Sequence, residues 1–192
     1  MHGLKRHALQ SFLQATYGAP LSEEVARGVG LTTTGIDLFG RSDDDMAHAL
    51  VDRAAKSLGQ AQESLLEDFG TWLIASPAGE PLRRLLRFGG ETFVDFLFSL
   101  EELPARISLA LPDLYLPRFE VEVLEDEAWI LRSHDMPRHL HVVVGILRAM
   151  ADDYGTLAVL TPLSSSHGEA LHIQIASNEH SLGRHFSLSV PA

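Results

Sequence analysis

Residues 89–106, Gly89-Gly90-Glu91-Thr92-Phe93-Val94-Asp95-Phe96-Leu97-Phe98-Ser99-Leu100-Glu101-Glu102-Leu103-Pro104-Ala105-Arg106, carry the most informative pattern of the chain. From Glu91 onward, Phe93, Phe96, Leu97, Leu100, Pro104, Ile107 and Leu111 recur at spacings of three and four, the signature of one amphipathic helix over 91–111. Position 104 then falls on the face predicted to be buried, so a proline stands where a core side chain belongs. Inside a helix, proline has no amide to offer the carbonyl of Leu100, a loss of about 3 kcal/mol or more. A kink or split at Pro104 is predicted.

On the N-terminal side of this stretch the pattern is helical throughout. Leu4, Ala8, Ser11, Phe12 and Ala15 share one face, Gly18 closes that helix, and Pro20 opens the next through Ser22, Glu23 and Glu24. Ser42 before Asp43, Asp44 and Asp45 reads as an N-cap with carboxylates at the positive end of a helix dipole. A further helix over 60–75 turns Leu65, Leu66, Phe69, Trp72 and Leu73 inward and stops at Ser76-Pro77.

Beyond Pro112 the period changes to two. Phe119, Val121 and Val123 alternate with Glu120, Glu122 and Leu124, and Ala128, Ile130 and Arg132 alternate with Trp129, Leu131 and Ser133, a hairpin turning near Asp126. Val142, Val143, Ile146, Leu147, Met150 and Tyr154 mark one more helix, ended by Gly155, before strand-like segments at 157–163, 169–176 and 185–190. A helical lobe followed by an antiparallel sheet packed with helices is an α+β fold. The 192 residues fit a single domain over 1–192, with a helical part at 1–60 and helices plus sheet at 61–192.

Composition excludes several functions. Fifteen Lys and Arg against 26 Asp and Glu leave a net charge of −11, which repels phosphate backbones and anionic lipid, so nucleic acid is not an expected partner. There is no cysteine, hence no disulfide, thiolate nucleophile, Cys-type zinc site or thiolate-held haem. Apolar runs such as Phe93 to Leu100 are too short to span a membrane and no secretory signal opens the chain, so a cytoplasmic location without membrane insertion is expected. HExxH, GxSxG and Walker A patterns are absent, and Gly28-Val29-Gly30 is followed at position 33 by Thr33 instead of a third glycine. With no nucleophile beside a base, an enzyme is not expected. His134, His139 and His141 cluster and read as surface or helix-entry histidines, His167, His172, His180 and His185 fall in or beside strands without an acidic partner at fixed spacing, and Glu101-Glu102 and Asp152-Asp153 read as solvated helix faces.

Several strings together resemble the haem nitric-oxide/oxygen-binding (H-NOX) sensor domains, and the resemblance runs nearly end to end. Met1-His2-Gly3 with a helix ending in Tyr17-Gly18 looks like the family's start, and Leu65-Leu66-Glu67-Asp68-Phe69-Gly70-Thr71-Trp72 like its fourth helix. The most specific match runs from Gly89 through Phe93, Phe96-Leu97, Leu100, Leu103 and Pro112 to Pro117 and Phe119. The resemblance implies a haem ligated by a histidine in a Leu-His-x-Arg setting, where this chain has Leu103-Pro104-Ala105-Arg106. It also implies a Tyr-x-Ser-x-Arg grip on the haem propionates, where Leu131, Ser133 and Asp135 stand. Proline has no lone pair for iron, and Asp135 in place of Arg sets like charge beside a propionate.

No haem or other cofactor is therefore expected. The leading expectation is a haem-independent sensor or regulatory domain whose former haem cleft is closed or takes an apolar ligand such as a fatty acid beside Leu97, Leu100, Pro104, Leu131 and Ser133. The alternatives are a haem-based NO/O2 sensor recruiting His7, His134, His139 or His141, and a ligandless protein-interaction module. By resemblance, the partner is an effector such as a histidine kinase, a nucleotide cyclase or a chemotaxis receptor, fused or separate. The start reads as a natural N-terminus, so the chain is expected to be either the first domain of a longer protein or a stand-alone regulator.

Overall fold

The structure, a computed structural model, describes residues 4–31, 42–110, 118–133, 140–165, 168–177 and 183. The chain divides into two compact units, residues 1–69 and 70–192. In the first, helix α1 (Leu4–Tyr17) packs on α2 (Ala19–Gly28) and α3 (Asp43–Leu58), and α4 (Gln62–Ala75) begins within it. Gly18, at a φ of 89°, makes the turn between α1 and α2 in a backbone region that disfavours side chains, and Pro20 sits in the first turn of α2. Phe12, Leu13, Val25, Leu50 and Leu65 are buried, with the Phe12 ring 5.4 Å from that of Phe69. Ser42 caps α3 as expected: its Oγ accepts the Asp45 amide at 3.2 Å and donates to Asp45 Oδ2 at 2.7 Å.

The second unit holds α5 (Glu80–Arg87), α6 (Phe93–Ser99), α7 (Leu103–Ala110), β1 (Glu120–Val123), β2 (Ala128–Arg132), α8 (Leu140–Tyr154), β3 (Leu157–Ser165) and β4 (Gly168–Ser177). The four strands form one antiparallel sheet in the order β1-β2-β4-β3. The α+β architecture is thus as the change of period implies. Asp126 and Glu127 turn the first hairpin with φ values of 58° and 53°. One sheet face, bearing Trp129, Leu131, Leu171, Ile173 and Ile175, packs in a single core with Phe93, Phe96 and Leu97 of α6 and Val144, Leu147 and Met150 of α8. The segment 185–190, expected as a strand, lies outside the described residues.

Two expectations need correction. The hairpin near Asp126 is present, and Ala128, Trp129, Ile130 and Leu131 of β2, which lies between β1 and β4, are all buried.

The helix over 91–111 is split, as its proline implies, but ahead of residue 104 and not at it. Across 97–103 the amides reach back three residues instead of four: Leu100 to Leu97, Glu101 to Phe98, Glu102 to Ser99 and Leu103 to Leu100, at 3.1–3.3 Å. The break therefore precedes Pro104, which sits in the first turn of α7, where its missing amide has no helical partner to lose. Each residue of 3-10 turn rotates the chain about 20° further than an α-helical one. Leu103 accordingly takes the buried place and Pro104 is half-buried.

The second correction concerns Asp152-Asp153. Asp152 is exposed, but Asp153 is 2% exposed and accepts Arg83 Nε at 3.0 Å and Nη2 at 2.7 Å on Oδ1, with Arg87 Nε 3.7 Å from Oδ2. Glu101 is exposed as expected, though its Oε1 accepts the Val121 amide of β1 at 2.8 Å. Removing a buried carboxylate that holds guanidinium groups leaves uncompensated charge. Asp153→Ala is expected to lower the unfolding free energy by about 3–5 kcal/mol, and Asp152→Ala by less than about 0.5 kcal/mol, as read from urea denaturation midpoints.

Candidate functional site

The sheet and α6 bring three of the candidate residues into one cluster. Leu97 and Leu131 have no exposed surface and Leu100 is 5% exposed, all within the same core. Leu131 pairs across the sheet with Val121 on one side and Leu171 on the other, so apolar side chains flank it along the core face. Ser133 is buried just beyond β2, and half-buried Pro104 follows Leu103, a member of that core, at the start of α7. Asp135, Pro112 and Pro117 lie outside the described residues.

The histidines are dispersed. His7 is exposed on α1 in the first unit, and His141 is half-buried in the first turn of α8 in the second. His48 Nδ1 lies 2.7 Å from the Asp44 carbonyl oxygen, one turn earlier on α3, and His172 faces Ile130 across the sheet. His134, His139, His167, His180 and His185 fall outside the described residues. Among those described, no three His, Cys, Asp or Glu side chains stand together as a metal-binding group.

Sequence reading missed the charged cluster at the junction of α5 and α8. Arg83 and Arg87, one helical turn apart, both reach Asp153, and the Arg87 guanidinium lies 3.9 Å over the Tyr154 ring. The hydrogen bonds from Arg83 to Asp153 hold its guanidinium more firmly protonated than usual. Burial pushes the Tyr154 hydroxyl above its ordinary value, partly opposed by Arg87, and that hydroxyl donates to the Gly90 carbonyl at 3.2 Å. The spacing of the two arginines was visible in the sequence, but their shared anion is about 70 residues away.

Residues 2–160 match the haem-NO-binding family, HNOB, and the chain belongs to that family of sensor domains. A soluble guanylate cyclase of Caenorhabditis elegans, gcy-31, is 24% identical over 169 residues, which cover 87% of this chain and 24% of that protein. The chain therefore spans about a quarter of the length of that curated relative. Among solved structures, the Fe(II) unliganded H-NOX protein of K. algicida superposes with a TM-score of 0.76 at 15% identity, over 92% of this chain and 97% of that one. An Fe(II) H-NOX protein from S. oneidensis gives 0.75 at 15% identity, with the same coverage. These likenesses show that the fold is the H-NOX fold. Among the described residues, no helix is long and apolar enough to cross a membrane.

Two substitutions separate packing from backbone geometry. Leu131→Tyr inserts a larger, polar side chain into a filled core and is expected to lower stability by about 1–3 kcal/mol. Pro104→Ala, at a first-turn position that tolerates either residue, is expected to change it by less than about 1 kcal/mol. Thermal or urea unfolding of both variants checks the contrast.

Proposed function

We propose that this chain is a haem-independent sensory or regulatory domain on the H-NOX fold. The single observation that carries the reading is Pro104: at the position matching the family's iron ligand stands a side chain with no donor atom. The position matching the propionate-binding tyrosine is Leu131, fully buried among apolar neighbours and without an oxygen or nitrogen to offer a carboxylate. The residues at these two positions do not fit a haem, so no step of the proposed function runs through one.

Two forms of the reading share that basis. In one, the cleft accepts an apolar molecule with a single polar end, such as a fatty acid, near Leu97, Leu100, Pro104, Leu131 and Ser133. In the other, side chains close it and the domain works as a protein-interaction module; the complete burial of Leu97 and Leu131 favours this form. Both signal by contact with an effector, for which a histidine kinase or a nucleotide cyclase is the proposed class. The likeness to part of a guanylate cyclase supports the second of these. The two compact units are proposed to act together as one sensor domain.

The purified protein is expected to be colourless and to take up no stoichiometric haem when haemin is supplied. A sharp Soret band that disappears on replacing one histidine overturns the reading and establishes a haem sensor with an unusual ligand. Mass spectrometry of small molecules extracted from the same preparation separates the two forms, since only the first predicts a bound lipid. Pro104→His alone is expected to leave haem uptake weak, because Leu131 and Asp135 still lack the chemistry that binds propionates. Absorption titration with haemin measures it, and tight five-coordinate haem in that variant would show the propionate positions to be dispensable.

A further inference from the structure

The corner between α5 and α6, together with the break after α6, forms an open groove of about 420 Å3 in the second unit, lined by Gly89, Gly90, Asp95, Phe98, Ser99 and Glu102. Gly89 is packed so closely on the Ser99 side chain that a Cβ there would collide with its Oγ. Phe98 lines the groove and Phe88 stands at its edge in sequence, next to Gly89; Phe88 is 67% exposed and Phe98 42%. On α6 this is an anomaly. Phe93, Phe96 and Leu97 already fill the core, and the opposite side of a surface helix is ordinarily polar. Here it presents Phe98, and Asp95 of the same helix and Glu102 of the break line the groove with it.

The charge of the groove selects among occupants. Its two charged lining residues are both acidic, and exposed Glu91 follows the lining residue Gly90 in sequence. Asp95 uses Oδ2 to accept the Thr92 amide at 3.0 Å, which leaves its negative charge in place at the groove. Arg106, half-buried, lies beside it with Nη2 3.4 Å from the Ser99 carbonyl oxygen, and Arg84, one turn before Phe88, is held by Glu80 at 2.9 Å. Neither guanidinium lines the groove, and the chain carries a net charge of −11. Phosphates, anionic lipids and acidic peptides are repelled, whereas Arg or Lys beside apolar side chains matches both the rings and the carboxylates.

We propose that this groove docks a cationic, amphipathic helical segment of the effector protein. Phe88 and Phe98 lie against its aliphatic side chains and arginine stems, and Asp95 and Glu102 pair with its cationic ends. The proposal rests on the reading of the chain as a domain that signals through a protein, and is independent of what occupies the cleft.

The test uses the full chain and a fluorescently labelled synthetic helix with Leu at i and i+4 and Arg at i+3 and i+7, followed by anisotropy in the absence of haem and lipid. Saturable one-to-one binding is expected, and the same peptide with Glu in place of Arg is expected not to bind. Phe98→Ser, Phe88→Ser and Glu102→Lys are each expected to weaken binding about tenfold or more. Glu23→Lys, an equal charge change at an exposed position of the first unit, is expected to stay within about twofold of the unaltered chain. The proposal is overturned if no saturable binding occurs, if both phenylalanine variants bind normally, or if Glu23→Lys weakens binding as much as Glu102→Lys. Haem uptake by the protein would refute the haem-independent reading while leaving the anisotropy result intact, so the two failures are distinguishable.

Discussion

Burying a carboxylate to 2% exposure is costly unless cations are held against it, and the second unit is organised to hold them. Asp153, at the end of α8, draws in Arg83 and Arg87 from α5. Arg87 in turn covers the ring of Tyr154, whose hydroxyl reaches the Gly90 carbonyl just ahead of α6. The rings of Phe93 and Phe96 lie 6.2 and 5.9 Å from that of Tyr154. A chain of contacts thus runs from one buried charge through a cation and an aromatic ring to the entry of the helix that carries the candidate site. Thr92 and Asp95 complete that entry with a reciprocal cap, which makes the start of α6 well defined.

The other end of α6 is set by different means. Proline cannot donate to the Leu100 carbonyl, and the Leu103 amide takes that place one residue earlier. On the proposed match to the family's ligand position, proline therefore does two things at once: it brings no imidazole there, and it makes residue 104 a comfortable opening for a second helix. Leu103 fills the core that the apolar pattern assigned to residue 104. The segment has a backbone suited to the residue it contains, which is why a proline here is compatible with an intact core.

Much of the fold could be read from period and punctuation. Gly18, Ser42, Gly155 and the change from a spacing of three and four to one of two fall where elements end or begin in the structure. The family was legible because several spacings over 89–119 agree with it together. What escaped was whatever depends on partners distant in sequence. Asp153 has the same local context as exposed Asp152, and only the approach of α5 distinguishes them. Period-two alternation also cannot reveal that both faces of β2 are covered, so that Ala128 and Ile130 are buried as well as Trp129 and Leu131. The exact place of the helix break was hidden for a similar reason, since a 3-10 turn leaves the apolar spacing almost unchanged.

Glu101 has a consequence for how the molecule behaves among its own copies. Among the described strands, β1 is an outer one, and an outward amide on such a strand is an invitation to pair with another chain. The carboxylate of Glu101 occupies the Val121 amide at 2.8 Å, so an acidic side chain from the helix break occupies a donor that a foreign strand would use. Glu120 and Glu122 flank that amide with further negative charge, and like charge on an approaching copy adds repulsion to the lack of a free donor. The break in the helix thereby guards the sheet against fibre-like growth, a matter of solubility that has nothing to do with what the domain senses.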